Sequence, residues 1–149
     1  MLLFLVLQAS PIPKMPELPT CSFEQSAKLV ERKTDLPGDV SAEVERQFGF
    51  TKGIAEAGDY FESTDNIRFS DAPRARFLRA YSVGKTWLIW FEKGGSMASG
   101  PRLIALAPPS AGGSGPGEIS AVPNSYFAGN LCAASRAFLA GVRGVSQGG

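Results

Sequence analysis

The chain has 149 residues, with 15 basic and 14 acidic side chains, two cysteines and no histidine. Charges that nearly cancel leave no global field to draw in nucleic acid or an anionic membrane, and the length suits one domain with a single core. Without histidine there is no Ser-His-Asp or Cys-His catalysis, no HExxH metal site and no imidazole switch, and two cysteines cannot close a structural zinc site, so neither metal nor cofactor is expected.

The chain opens on an apolar run, Leu2 to Leu7, followed by the small residues Ala9 and Ser10. This pattern predicts a signal-peptide remnant over 1–10 and places the protein in the periplasm or outside the cell. An ordinary buried strand is the competing reading. A transmembrane anchor needs about twenty apolar residues, so none is expected. Pro11, Pro13, Pro16 and Pro19 forbid continuous helix or central strand, so 11–20 reads as an extended, proline-rich tether. Leu18 stands three residues before Cys21, as in a lipobox, but Pro19 and Thr20 fit that pattern poorly.

Cys21 and Cys132 are the cysteine pair of an exported domain, and a disulfide between them is expected to enclose almost all of 21–145. Two buried free thiols are the alternative. Ser22 and Gln25 have capping-box spacing, and Phe23, Ala27 and Val30 fall near helical spacing, so a helix is predicted there, with a strand over 27–34 as the competitor. Asp39 is a suitable N-cap for an amphipathic helix from Val40 to Phe48. Its apolar face is Val40, Val44 and Phe48; Glu43, Glu45, Arg46 and Gln47 form the solvated side, and Gly49 is the expected terminator.

From Gly53 to Pro73 the chain is polar and turn-rich, with a short strand predicted near Ile67. Arg76–Ser82, Thr86–Glu92 and Arg102–Ala107 are β-rich runs separated by turn residues, which describes an antiparallel meander. In the middle strand Trp87, Ile89 and Phe91 alternate with Leu88 and Trp90, so either both faces are covered or one exposes aromatics. Pro108–Gly117 reads as a loop, Glu118–Val122 as a further strand. Asn130 caps a last helix whose face is Leu131, Ala134, Phe138 and Val142, with Gly144 helping to end it and a flexible tail over 146–149. No internal repeat is read. The expected fold is a single α+β domain, an antiparallel sheet of about four or five strands with two or three helices on one face.

Motif imitations are weak. Gly84-Lys85-Thr86 resembles the end of a phosphate-binding loop, but Arg79 stands where the first glycine belongs and a Trp-rich strand follows. Glycines 112, 113, 115 and 117 are interrupted by Pro116 and have no adjoining helix. Asp59, Glu62 and Asp65 offer carboxylates in one loop, to calcium or to hydrolytic chemistry, but without EF-hand spacing.

Arginines and aromatics concentrate instead at Arg74, Arg76, Arg79, Tyr81 and Trp90, the candidate binding residues, since an aromatic–arginine surface is the composition of interface hot spots and of sugar or peptide platforms. Surface ion pairing with nearby acids and core packing are the bland accounts of the same residues. The expected function is an exported, non-catalytic binding or inhibitor-like module with a protein or glycan partner of the cell envelope. A carboxylate-dependent glycan hydrolase and a structural envelope component are the competing classes.

Overall fold

The computed structural model describes residues 11–64, 71–95 and 100–146. The expected signal remnant, Asp65, the strand near Ile67 and the end of the expected tail lie outside them. The elements are β1 (Ala27–Val30), α1 (Gly38–Gln47), β2 (Ala75–Val83), β3 (Thr86–Lys93), β4 (Gly100–Ala107), β5 (Ser120–Ala121), β6 (Phe127–Ala128) and α2 (Leu131–Leu139). They form one α+β domain around an antiparallel sheet of order β1-β2-β3-β4-β5, with β6 also paired to β4.

The meander falls where the β-rich runs predict it. Val83 pairs with Thr86, leaving Gly84 and Lys85 as a two-residue turn in which Gly84 takes φ +59°, the left-handed conformation that primed hairpin turns require. Ala27–Val30 pairs with Ala80–Val83 as an edge strand, which corrects the helix predicted around Ser22 to Val30. Backbone pairing to β2 outweighs a weak helical pattern, because only Val30 of that segment finds a buried position.

Strand β3 explains the layering. Leu88, Ile89, Trp90 and Phe91 are all buried, so the sheet needs cover on both faces. One face packs Ile89, Phe91, Phe77 and Leu106 against Val40 and Val44 of α1 and Phe48 at its C-cap. The other packs Leu88, Trp90, Leu78 and Leu103 against Leu131, Ala134 and Phe138 of α2. The two helices therefore lie on opposite faces rather than sharing one, because each strand face is a continuous apolar surface.

Helix α1 buries the predicted face, but its ends differ from expectation. Pro37 occupies the N-cap position, while Asp39 accepts from the Val40 N–H inside the first turn. The chain continues through a 3-10 turn, Gly49–Thr51, and reverses only at Lys52 (φ +60°) and Gly53 (φ +91°), where the Gly53 N–H bonds the Phe48 carbonyl. Glu43, expected on the solvated side, is buried and accepts from Arg46 and Gln47. Burial alone would raise its carboxyl; those bonds and one from the Ala121 backbone bring it below the ordinary range.

Helix α2 starts as read, with Asn130 Oδ1 accepting from the Ala133 N–H at 3.0 Å. It stops earlier, at Leu139, and Gly141 (φ +96°) turns the chain, so Val142 lies outside the helix and is 52% exposed. Gly144 acts by closeness: a Cβ there would stand 2.3 Å from the Tyr126 carbonyl oxygen.

Candidate peptide-binding face

Strand β2 carries a bulge. Phe77 opposes Phe91 and the next pair is Arg79 with Trp90, so Leu78 is an extra residue. Under simple alternation Arg76 and Arg79 would point to opposite sides of the sheet. The extra residue restores them to one side, where Arg76, Leu78, Arg79 and Tyr81 share a face with Trp90 and Glu92.

The structure thus brings together four of the five predicted binding residues, but they form no exposed platform. Trp90 is 0% exposed, Tyr81 is buried, and the Trp90 indole N–H donates to Ser135 Oγ at 3.0 Å. Tyr81 stands edge-on to Trp90 at 5.4 Å and Phe23 edge-on to Tyr81 at 5.1 Å, giving an aromatic row. Arg74 lies apart, half-buried, with its guanidinium donating to the Thr64 carbonyl.

Arg76 is 0% exposed, and every direction of its guanidinium is used. Nε donates to Glu92 Oε1 at 2.6 Å and Nη2 pairs with the same oxygen. Nη1 donates to the carbonyls of Pro13 (2.7 Å) and Asp59 (2.9 Å), Nη2 to that of Lys14 (3.2 Å), and the Phe61 ring lies 4.6 Å away. Burial pushes the Glu92 carboxyl above its ordinary value, against the opposing pull of Arg76. Arg79 lies over the Trp90 ring at 5.8 Å and donates to the Pro19 carbonyl at 3.1 Å.

What covers this face is the segment expected to be a tether. Met15, Leu18 and Phe23 pack on the core cluster that contains Leu78, Tyr81 and Trp90. The Cys21 N–H donates to the Tyr81 hydroxyl at 3.2 Å, and Arg136 Nε to the Ser22 carbonyl at 3.0 Å. The disulfide Cys21–Cys132, with Cα atoms 5.4 Å apart, then joins this N-terminal cover to α2. Proline forbids the segment a ladder or helix of its own, and the arginines hold it instead by donating to its carbonyls.

A short repeat within residues 12–20 explains the fit. Ile12-Pro13-Lys14, Met15-Pro16-Glu17 and Leu18-Pro19-Thr20 repeat an apolar–Pro–polar triplet, continued by buried Cys21. A polyproline II helix has three residues per turn, so each class occupies one line along it. Burial follows this period: Lys14, Glu17 and Thr20 are exposed, Met15 and Leu18 are partly buried against the sheet, and only Ile12, at the outer end, leaves its apolar line for solvent at 59% exposure.

Where the cover meets α2, an open groove of about 530 Å³ is lined by Ser22, Phe23, Gln25, Arg136 and Leu139. A second cavity of about 330 Å³ lies between α1 and the β5–β6 connection, beside Gln47, Ile104 and Tyr126.

Among the described residues, the loop carboxylates Asp59 and Glu62 have separate partners. Asp59 is exposed and meets Arg76 only through its main-chain oxygen. Glu62 accepts from the Thr64 hydroxyl and N–H and from the Tyr60 hydroxyl, and these bonds, Thr64 first, lower its pKa. Among the described residues no three side chains of metal-ligating type come together, and no helix is long and apolar enough to cross a membrane. No protein family, curated protein or solved structure matches this chain.

Proposed function

We propose that the protein is a small exported binding module without catalytic activity, working in the periplasm or outside the cell, whose partner is an envelope protein met as an extended chain. The observation that carries this is the chemistry of the sheet face. Beside its bonds to Glu92 and Asp59, Arg76 donates to the main-chain carbonyls of Pro13 and Lys14, and Arg79 donates to that of Pro19, so toward the covering segment the surface reads backbone rather than a particular side chain. The aromatic row Trp90–Tyr81–Phe23 runs from beneath the covering segment to the open groove, where a partner first makes contact. The disulfide and the apolar start of the chain support export.

The test is affinity capture from an envelope extract with the oxidised protein and two variants, Phe23→Ala and Asp59→Ala. Loss of a half-buried aromatic from an interface centre should weaken retention of a captured protein more than tenfold, while Asp59→Ala retains it as wild type does. Equal retention by Phe23→Ala contradicts the proposal. An envelope-glycan hydrolysis abolished by Asp59→Ala would put the hydrolase in its place.

A further inference from the structure

We infer that the Arg76–Arg79–Trp90 face is a recognition site for extended peptides of repeated apolar–Pro–polar triplets, and that residues 11–20 occupy it in cis. This rests on the binding-module reading and names the ligand class for the same site.

Three features of the bound segment define that class. Its apolar side chains recur every third residue, the period of a polyproline II helix, and Met15 and Leu18 of that set pack on the cluster that holds Tyr81 and Trp90. Its prolines lack N–H groups, so the backbone presents mainly acceptors; the face answers with guanidinium donors. Its third line, Lys14, Glu17 and Thr20, is exposed, so the face places no demand on those positions. A ligand already extended loses little conformational freedom on docking, which is the physical advantage of proline-rich recognition.

The fastening explains how such a face can exchange its occupant. The disulfide and the Cys21–Tyr81 and Ser22–Arg136 hydrogen bonds hold the segment at its C-terminal end. Residues 11–20 are held by the arginine contacts and by the partly buried side chains of Pro13, Met15, Pro16 and Leu18, none of them fully buried. A competing peptide has to displace those contacts alone, and the tethered segment resists it through its high effective concentration.

The experiment uses the full oxidised chain and a fluorescein-labelled peptide spanning residues 11–20, followed by anisotropy. Met15→Asp with Leu18→Asp weakens the covering segment and leaves the face intact. This double variant should bind the peptide at least tenfold more tightly than wild type. Adding Arg79→Ala, or replacing Pro13, Pro16 and Pro19 of the peptide by alanine, should each reverse that gain about tenfold. A folded, disulfide-intact double variant that fails to bind, or binds both peptides alike, overturns the inference.

If the double variant does not fold, the wild type decides. Excess peptide carrying Gln in place of Lys14 should accelerate tryptic cleavage of the protein after its own Lys14 at least threefold over the alanine-substituted peptide, and an unchanged rate overturns the inference. Failure here with Phe23-dependent capture intact removes only the ligand class. Peptide binding without that capture removes instead the proposed envelope partner.

Discussion

Replacing Arg76 by alanine should be among the most damaging single changes in the protein. The guanidinium is fully buried, with Glu92 as its ionic partner and the carbonyls of Pro13, Lys14 and Asp59 as its neutral ones. Truncation strands a buried carboxylate, which typically costs about 3–5 kcal/mol. A domain of this size has a total stability of about 5–15 kcal/mol, so the melting temperature should fall by roughly 6–20 °C. Urea unfolding followed by tryptophan fluorescence measures the loss directly. The dependence on pH has a defined sign: a carboxyl whose folded-state pKa is raised favours the fold when protonated and loses that advantage as pH climbs through the folded value. Glu92 is already raised by burial, and losing Arg76 raises it further, so the variant should lose more stability at pH 8 than at pH 5. Arg76→Met with Glu92→Leu replaces the pair by apolar volume and should recover much of the loss. A single-variant cost below about 1 kcal/mol, or a double variant no better than Arg76→Ala, refutes the buried-pair account.

Three further outcomes follow from the same structure. Serine at both Cys21 and Cys132 opens a link across a sequence separation of 111, for which the chain-entropy model gives an upper loss of about 4.8 kcal/mol; wild type should show no free thiol under denaturing, non-reducing conditions. Trp90→Ala should cost about 3–5 kcal/mol in chemical denaturation through its cavity, whereas Trp90→Phe should cost only about 1 kcal/mol for the lost bond to Ser135; similar costs would contradict its place in the core. Burial alone would raise the Glu56 carboxyl, but the N–H groups of Lys33, Ala57 and Thr34 bring it below the ordinary range. Glu56→Gln should therefore lose about 1 kcal/mol, allowing for solvent screening, at pH 7, and the difference should vanish as pH falls through the lowered folded value.

Local signals carried much of the fold. The turn at Gly84-Lys85, the β-rich runs around it, the Val40–Val44–Phe48 face and the Asn130 cap each depend on a few neighbouring residues, and each falls where expected. The layering was not legible: the apolar run Trp87 to Phe91 fits a strand covered on both sides and equally one that exposes aromatics, and the helices were expected on one face, whereas each face carries one. Composition also drew attention to Arg76, Arg79, Tyr81 and Trp90, but their arrangement was hidden. The bulge at Leu78 changes which side each residue takes, and no local pattern announces a bulge. Likewise, charge on Arg76 reads as surface until Glu92 and the carbonyls from residues 13, 14 and 59 are known to surround it. The triplet repeat in residues 12–20 is local in the sequence, but it is masked by the prolines, whose exclusion of helix and sheet is a stronger signal than the three-residue period they set.

The central claim is that residues 11–20 are held on the sheet rather than free of it. The rate of tryptic cleavage between Lys14 and Met15 tests it, because the protease needs an undocked, extended chain on both sides of the bond. In the folded, oxidised protein that bond should be cut at least tenfold more slowly than in a synthetic peptide spanning residues 11–20, a factor equivalent to about 1.4 kcal/mol of docking. Equal rates would mean that the segment is a free tether, and the arginine–aromatic face would then have no occupant.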